Sequence, residues 1–281
     1  MNYGVVLPRG DARTAAHLAH EAEQAGWDGF FVWEPVWGID AWVSLTAAAM
    51  RTERIKLGTL LSPIARMRPW KIAGEAATLD NLSNGRVIIS VGLGATDTDW
   101  AAFGEPLGGS LDRKVRADMM DEGLDIMLGL WRGQPFSYDG KYYTLTPSTF
   151  FVPPPPVQQR NDVPHIPTWM VGMHGSDKSM QRAIRYDGLL PAWIDAPNTP
   201  ASESLNTMRE MTAWVKANRI NASLYDIIVE GNTPGDDPAE AARIVRVQAD
   251  AGATWWIEAN WEAMDAIDKV FARVRQGPPQ I

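Results

Sequence analysis

Glu34 closes the run Phe31-Val32-Trp33-Glu34, a carboxylate at the end of an apolar stretch. A carboxyl so placed can anchor a ligand by hydrogen bonds or act as general acid or base. An ion pair with Arg66 or Lys56 is the plainer alternative. Trp37 follows closely. Farther on, Gly172-Met173-His174-Gly175-Ser176 is a turn of mostly small residues between an apolar run and a helical pattern. Exposed amides at a helix start suit a phosphate, although Ser176 would equally serve as an ordinary N-cap. His174 is one of four histidines. His17 and His20 fall in a helical stretch, and His165 in a proline-rich one. Val91-Gly92-Leu93-Gly94-Ala95 begins like a dinucleotide fingerprint, but Asp97 stands where the third glycine belongs, so that reading fails. The two glycines serve equally well to let the chain turn sharply. Of 13 tryptophans, Trp33, Trp37, Trp193, Trp255 and Trp256 lie at or near ends of apolar runs. There they suit either a flat aromatic ligand or the core.

Other chemistries are excluded. With no cysteine there is no disulfide, thiolate nucleophile, iron–sulfur cluster or Cys-type zinc site. No His-x-His or His-Glu-x-x-His spacing supports a metal centre, and no Gly-x-Ser-x-Gly elbow is present. A formal charge of −8 argues against nucleic acid or an acidic membrane as partner. No run of about 18 apolar residues exists to span a bilayer. The start, Met1 to Pro8, reads as a first strand and not as a signal peptide. The expected location is the cytoplasm.

These residues need a scaffold, and the pattern supplies one. Short β-branched runs alternate with helical patterns: Val5–Leu7, Gly29–Trp33, Ile55–Leu61, Val87–Val91, Thr168–Val171, Gly188–Leu190, Tyr225–Glu230 and Thr254–Glu258 as strands, each followed by a helix. Such near-continuous apolar runs suit parallel strands buried on both faces. Eight repeats predict an α/β fold, a (β/α)8 TIM barrel with an open doubly wound sheet as the alternative, and 281 residues match the usual length of about 250 for one barrel domain. Residues 135–165 read as an insertion, with a hairpin over Phe136–Tyr143 turning at Asp139-Gly140 and an extended segment at Pro153–Pro156. Sites in such barrels lie at the C-terminal strand ends, which gathers Glu34, Trp37, Leu61, Ser62, Gly92, Gly94, Thr96, the Gly172–Ser176 turn, Trp193, Glu258 and Asn260 at one mouth. Alternation puts Trp255 and Trp256 on opposite faces of the last strand.

Several segments together resemble the bacterial luciferase-like flavin-dependent oxidoreductases over nearly the whole chain. They are Arg54–Thr59, Arg68-Pro69, Ala77–Arg86, Val91–Gly94, Leu130–Gly133, Tyr138–Tyr143, Ile166–Gly172 and Tyr186–Gly188. The resemblance implies a single TIM-barrel domain over 1–281. It would hold a reduced deazaflavin (coenzyme F420) or FMN and reduce or mono-oxygenate a small organic substrate. The ring would lie near Leu60, Leu61, Ser62, Gly92, Gly94 and Thr96, and the phosphate near Gly172, Met173, His174, Gly175 and Ser176. A cis peptide is implied at Leu60–Leu61. Glu34, Trp37 and His174 become candidates for proton delivery, and Trp193, Glu258 and Asn260 for substrate contact. A homodimer is implied, as is a separate flavin reductase or F420-reducing enzyme. Two departures stand out. Deazaflavin-dependent sugar-phosphate dehydrogenases of this family carry Asp-His where Glu34-Pro35 stands, and a glutamate where Ala95 stands. The rival readings are a cofactor-free barrel hydrolase or isomerase and a non-catalytic flavin-binding relative.

Overall fold

Eight buried runs pair edge to edge, all parallel, and the last closes on the first. A computed structural model describes residues 1–35, 38–94, 112–147, 154–193, 201–219, 224–263 and 265–281. Its elements are β1 (Asn2–Leu7), α1 (Ala12–Gln24), β2 (Gly29–Val32), α2 (Ala41–Ala49), β3 (Lys56–Pro63), α3 (Pro69–Ser83), β4 (Val87–Gly92) and α4 (Arg113–Trp131). An insertion follows with β5 (Tyr138–Asp139), β6 (Thr144–Leu145), β7 (Gln159–Arg160) and β8 (Val163–Pro164). The barrel then resumes with β9 (Thr168–Met173), α5 (Asp177–Ala183), β10 (Gly188–Ala192), α6 (Ala201–Asn218), β11 (Asp226–Gly231), α7 (Pro238–Asp250), β12 (Trp255–Glu258) and α8 (Ile267–Arg275). The ring runs β1-β12-β11-β10-β9-β4-β3-β2, a (β/α)8 barrel.

The strand faces divide the core in two. Inward side chains include Val6, Phe31, Ile88, Trp169, Ile228, Trp255 and Ile257. Three aromatic rings plug the interior: Phe31 and Trp169 lie 5.4 Å apart, Trp169 and Trp255 5.2 Å. Asp226 holds this plug by accepting from Trp169 Nε1 at 3.1 Å and Thr254 Oγ1 at 3.0 Å. The outward faces meet the helices through Leu18, Leu45, Ile72, Leu124 and Val274, all buried. Trp255 thus faces inward, while Trp256 faces the helix layer, where its indole N–H reaches Glu258.

Polar latches fix the helices to the barrel. Asp11, Asp40 and Asp112 cap α1, α2 and α4 by accepting from Thr14, Val43 and Val115 amides, as short acidic side chains do. Pro69 opens α3 at a position that needs no N–H, and Asn84 and Gly85, at φ 57° and 82°, end it. The carboxylate of Asp80 accepts from the Val157 and Gln158 amides and from Gln158 Nε2, at 2.7–3.0 Å, drawing the insertion onto the barrel.

The insertion departs from expectation in its turns. The Asp139-Gly140 pair is not a two-residue turn: Tyr138 pairs with Leu145 and Asp139 with Thr144, leaving a four-residue loop. Glu122 explains it, because its carboxylate takes the amides of Lys141, Tyr142 and Tyr143. A second hairpin, β7–β8, turns at Asn161 and Asp162, both with positive φ, the backbone that a tight two-residue hairpin turn demands. Pro153 lies outside the described residues, and Pro154–Pro156 run without regular structure. No described helix is long and apolar enough to cross a membrane.

Candidate active site

A cavity of about 1110 Å³ opens at the C-terminal ends of the strands. Its floor and one side are apolar: Leu60, Leu61, Gly92, Leu93, Gly94 and Val171, with the rings of Trp33 and Trp261 at the edge. The Leu60–Leu61 peptide is cis, and the β3–β4 register shifts there, between Thr59 and Ser62. Gly92 matters for what it lacks. A Cβ there would sit 3.0 Å from Leu61 and 3.1 Å from Val171, and one on Gly94, at φ 71°, would lie 2.8 Å from Pro63. The glycines keep the slot open between two strand ends.

The wall from α4 and α5 is basic. Arg113, Lys114 and Arg116 come from the first turn of α4, and Lys178 and Arg182 from α5, with Ser176 and Ser179 between them. Lys114 pairs with Asp118 at 2.8 Å and Arg182 with Asp121 at 2.5 and 2.8 Å. Arg116 Nη1 donates to the carbonyls of Leu93 and Gly94, both at 2.9 Å, while its buried Nε has no partner among the described residues. Arg113 and Lys178 have no ion-pair partner among the described residues. Ser176 is the N-cap residue of α5, yet its hydroxyl makes no capping bond and borders the cavity instead.

Glu34 also lines the cavity. Ser62 Oγ donates to its Oε2 and lies 2.9 Å from Thr59 Oγ1; both hydroxyl residues are fully buried. Arg66 Nη2 fixes the backbone by donating to the Glu34 carbonyl at 2.8 Å. Burial pushes the Glu34 carboxyl up to about 7; Asp40 and Glu75 add to the rise, and Ser62 and Arg66 oppose it. A carboxyl near neutrality is matched to accepting or giving a proton at physiological pH.

Thus Glu34, Leu60, Leu61, Gly92, Gly94, Met173 and Ser176 share one cavity, with Ser62 directly behind Glu34. Trp37 and Thr96 lie outside the described residues. The remaining expected site residues point elsewhere, and alternation explains most of them. On β9, Met173 faces inward and Gly172 outward, where a Cβ would lie 2.3 Å from Leu189; its smallness serves packing against α5. His174 is exposed and meets Glu210 of α6 at 3.2 Å, not the cavity. Gly175 makes the turn at φ 73°. Trp193 packs on the core outside the barrel. Glu258 shares the outward face of Trp256. Its buried carboxylate accepts from Thr233 N and Oγ1, both at 2.7 Å, and from Arg273 at 3.4 Å, so it ties α8 to the barrel instead of facing substrate. Asn260 engages a neighbouring group and is not part of the cavity wall.

Sequence reasoning missed the basic wall and Trp261. A signal existed for the wall: three cations crowd the N-terminal turn of α4, where the helix dipole disfavours positive charge. Asp112 at the N-cap and Asp118, paired with Lys114, offset part of that charge, and Arg113 stays without an ion-pair partner among the described residues.

Comparison with known proteins places this architecture. Residues 2–276 match the family model of the luciferase-like monooxygenases. An F420-dependent glucose-6-phosphate dehydrogenase of Beutenbergia cavernae is 36% identical over 285 residues, covering 90% of this chain and 80% of that one. Among solved structures, the coenzyme F420-dependent tetrahydromethanopterin reductase of Methanopyrus kandleri superposes with a TM-score of 0.72 at 17% identity, covering 99% of this chain and 98% of that one. The FMN-bound oxygenating constituent of 3,6-diketocamphane monooxygenase from Pseudomonas putida superposes at 0.60, with 21% identity, covering 87% and 71%. The glycine slot, the cis Leu60–Leu61 peptide and the closed barrel therefore stand in a chain that belongs to the luciferase-like monooxygenase family.

Proposed function

We propose that this protein is an oxidoreductase that uses reduced coenzyme F420 or reduced FMN to reduce or mono-oxygenate a small organic substrate. The observation that carries the reading is one cavity with an apolar, glycine-opened slot beside a basic wall. A flat ring with an anionic tail has this same division. Leu60, Leu61, Gly92, Gly94 and Val171 would hold the ring; Ser176, Ser179, Lys178, Arg113 and Arg116 would hold the tail. The residues fit the group, and its relatives include enzymes named for F420 and one bound to FMN.

When bound, the reduced ring would supply two electrons, to the substrate itself in a reduction or to dioxygen in a mono-oxygenation. The chain's own residues do the rest. Glu34 holds or releases a proton at Oε, Ser62 and Thr59 orient it, and Arg66 fixes its backbone. Trp33 and Trp261 narrow the mouth and keep water from it. A separate flavin reductase or F420-reducing enzyme, in the cytoplasm, would supply the cofactor in reduced form.

Titrating both oxidised cofactors side by side tests this. The wall favours F420, whose tail carries carboxylates besides its phosphate, so F420 should bind more tightly than FMN and weaken more with salt. Binding of neither below roughly millimolar, about −4 kcal/mol, sinks the reading in favour of a cofactor-free barrel enzyme.

The working unit is a homodimer joined through α2 and α3. Val43 and Met50 stand 61% and 69% exposed seven residues apart, with Ala47 between them. Trp70 and Leu82 of α3 are also exposed. An apolar helix face of this kind is normally covered. Light scattering should give twice the 31.0 kDa chain mass; a single-chain mass at micromolar concentration would refute the dimer.

A further inference from the structure

Across the mouth from the basic wall lies a corner of the opposite character. In the ring of eight strands, β12 and β4 stand four places apart and so face each other. Glu230 lies on β11 in register with Ile257 of β12, whose side chain is inside the barrel. Residues in register on neighbouring parallel strands share a face, so Glu230 is the last inward side chain of β11. Trp261 Nε1 donates to its Oε2 at 3.2 Å. The Trp261 ring stands edge-on to Trp33, with centroids 5.8 Å apart and planes at 81°, and both rings line the cavity.

Glu230 has no part in holding the cofactor or in moving the Glu34 proton. It is solvent-accessible, yet the barrel rim surrounds it, and burial raises its carboxyl above the ordinary range. No cation pairs with it among the described residues. An indole N–H is a neutral donor and leaves the carboxylate's charge uncompensated. Arg66, which lines the cavity, is bonded to the Glu34 carbonyl, and Arg9, which follows β1 beside β12, is paired with Asp265.

We propose that Glu230, Trp261 and Trp33 form a subsite for a positively charged substrate group, an ammonium or its alkylated forms. Two aromatic rings at a right angle with a carboxylate beside them attract a cation through the ring quadrupoles and through charge. The cavity is then polar end to end, with the anionic cofactor tail against α4 and α5 and the cationic substrate head against β11 and β12. The proposal deepens the flavin-type reading by naming its substrate class.

Choline and its uncharged isostere 3,3-dimethylbutan-1-ol make the test, each followed through the nine equivalent methyl protons in NMR titrations of the full chain. Choline should bind about tenfold more tightly than the alcohol, a ratio within reach of one cation–π and carboxylate contact. Glu230→Gln and Trp261→Leu should each erase that preference. Thermal melts report whether the variants fold, and Glu230→Gln should hold both cofactors within about twofold of the parent. Equal binding of the two probes, or a preference that survives Glu230→Gln, overturns the proposal. Cofactor binding is read separately from ring absorbance, so loss of the cation preference and loss of the flavin-type reading are distinct results.

Discussion

Glu34→Gln lowers kcat/KM by about 10²- to 10⁴-fold, roughly 3–5 kcal/mol of barrier, and removes a pH-dependent limb that the parent shows near pH 7. In the direction of substrate reduction a proton must be delivered, so the parent's rate falls as pH rises through about 7, the value to which burial lifts this carboxyl. Glutamine keeps the shape and can accept from Ser62, but it has no proton to titrate. Stability moves the other way. A carboxyl raised in the folded state takes up protons there that the unfolded chain has released, so stability falls between about pH 4.5 and pH 7 as the unfolded chain ionises first. Glutamine removes that penalty, and the variant should gain on the order of 1–3 kcal/mol at pH 7 and above. Lower activity with higher stability is the mark of a strained functional group. Paired pH–rate profiles and melts decide it; a variant with an unchanged limb near pH 7 excludes Glu34 from proton transfer.

Arg86→Met should unfold the protein about 10 °C earlier, the shift expected for a loss of about 3–5 kcal/mol in a chain of this size. Arg86 is 7% exposed. Its Nε donates to Ser83 O at 2.8 Å, its Nη1 to Thr52 Oγ1 at 2.8 Å and Ile55 O at 3.1 Å, and its Nη2 to Ala49 O at 3.1 Å and Thr52 O at 3.0 Å. The carbonyls lie at the C-terminal ends of α2 and α3 and in the turn entering β3, where helix dipoles favour a cation. Methionine fills much of the volume yet leaves buried acceptors unsatisfied, which costs more than the bonds contributed. Arg86→Lys should recover less than half, because three donors on one nitrogen cannot reach five acceptors arranged around a planar fork. Differential scanning calorimetry measures it. A melting temperature within 2 °C of the parent would mean water replaces the guanidinium without cost.

The barrel was legible because its strands are short apolar runs buried on both faces, and periodicity is the signal that such runs carry. Strand ends were harder. Reading every residue near a strand end as mouth-facing brought in Gly172 and Glu258, which alternation sends outward; their neighbours Met173 and Ile257 face in. Alternation alone left open which of Trp255 and Trp256 faces the helices; with Trp256 outward in the structure, Glu258, two residues on, points the same way. Glu230 escaped notice for the converse reason, since a glutamate ending an apolar strand looks like the start of a loop until its register with Ile257 is known. His174 drew attention as a rare residue type, but rarity carries no direction. The resemblance located the cis peptide at Leu60–Leu61, which no propensity reveals. The pairing of Glu122 with the hairpin amides depends on contacts 19 to 21 residues apart, beyond any local pattern.

That pairing gives α4 a second task. Its first turn presents Arg113, Lys114 and Arg116 to the cavity. Two turns on, Asp121 grips Arg182 of α5 and Glu122 grips three successive amides of the hairpin. A helix is stiff over this distance, so whatever displaces the hairpin displaces the cations with it. The β5–β6 loop is therefore tied through one rigid helix to the cations that line the cavity, so its length and anchoring bear on how those cations are held.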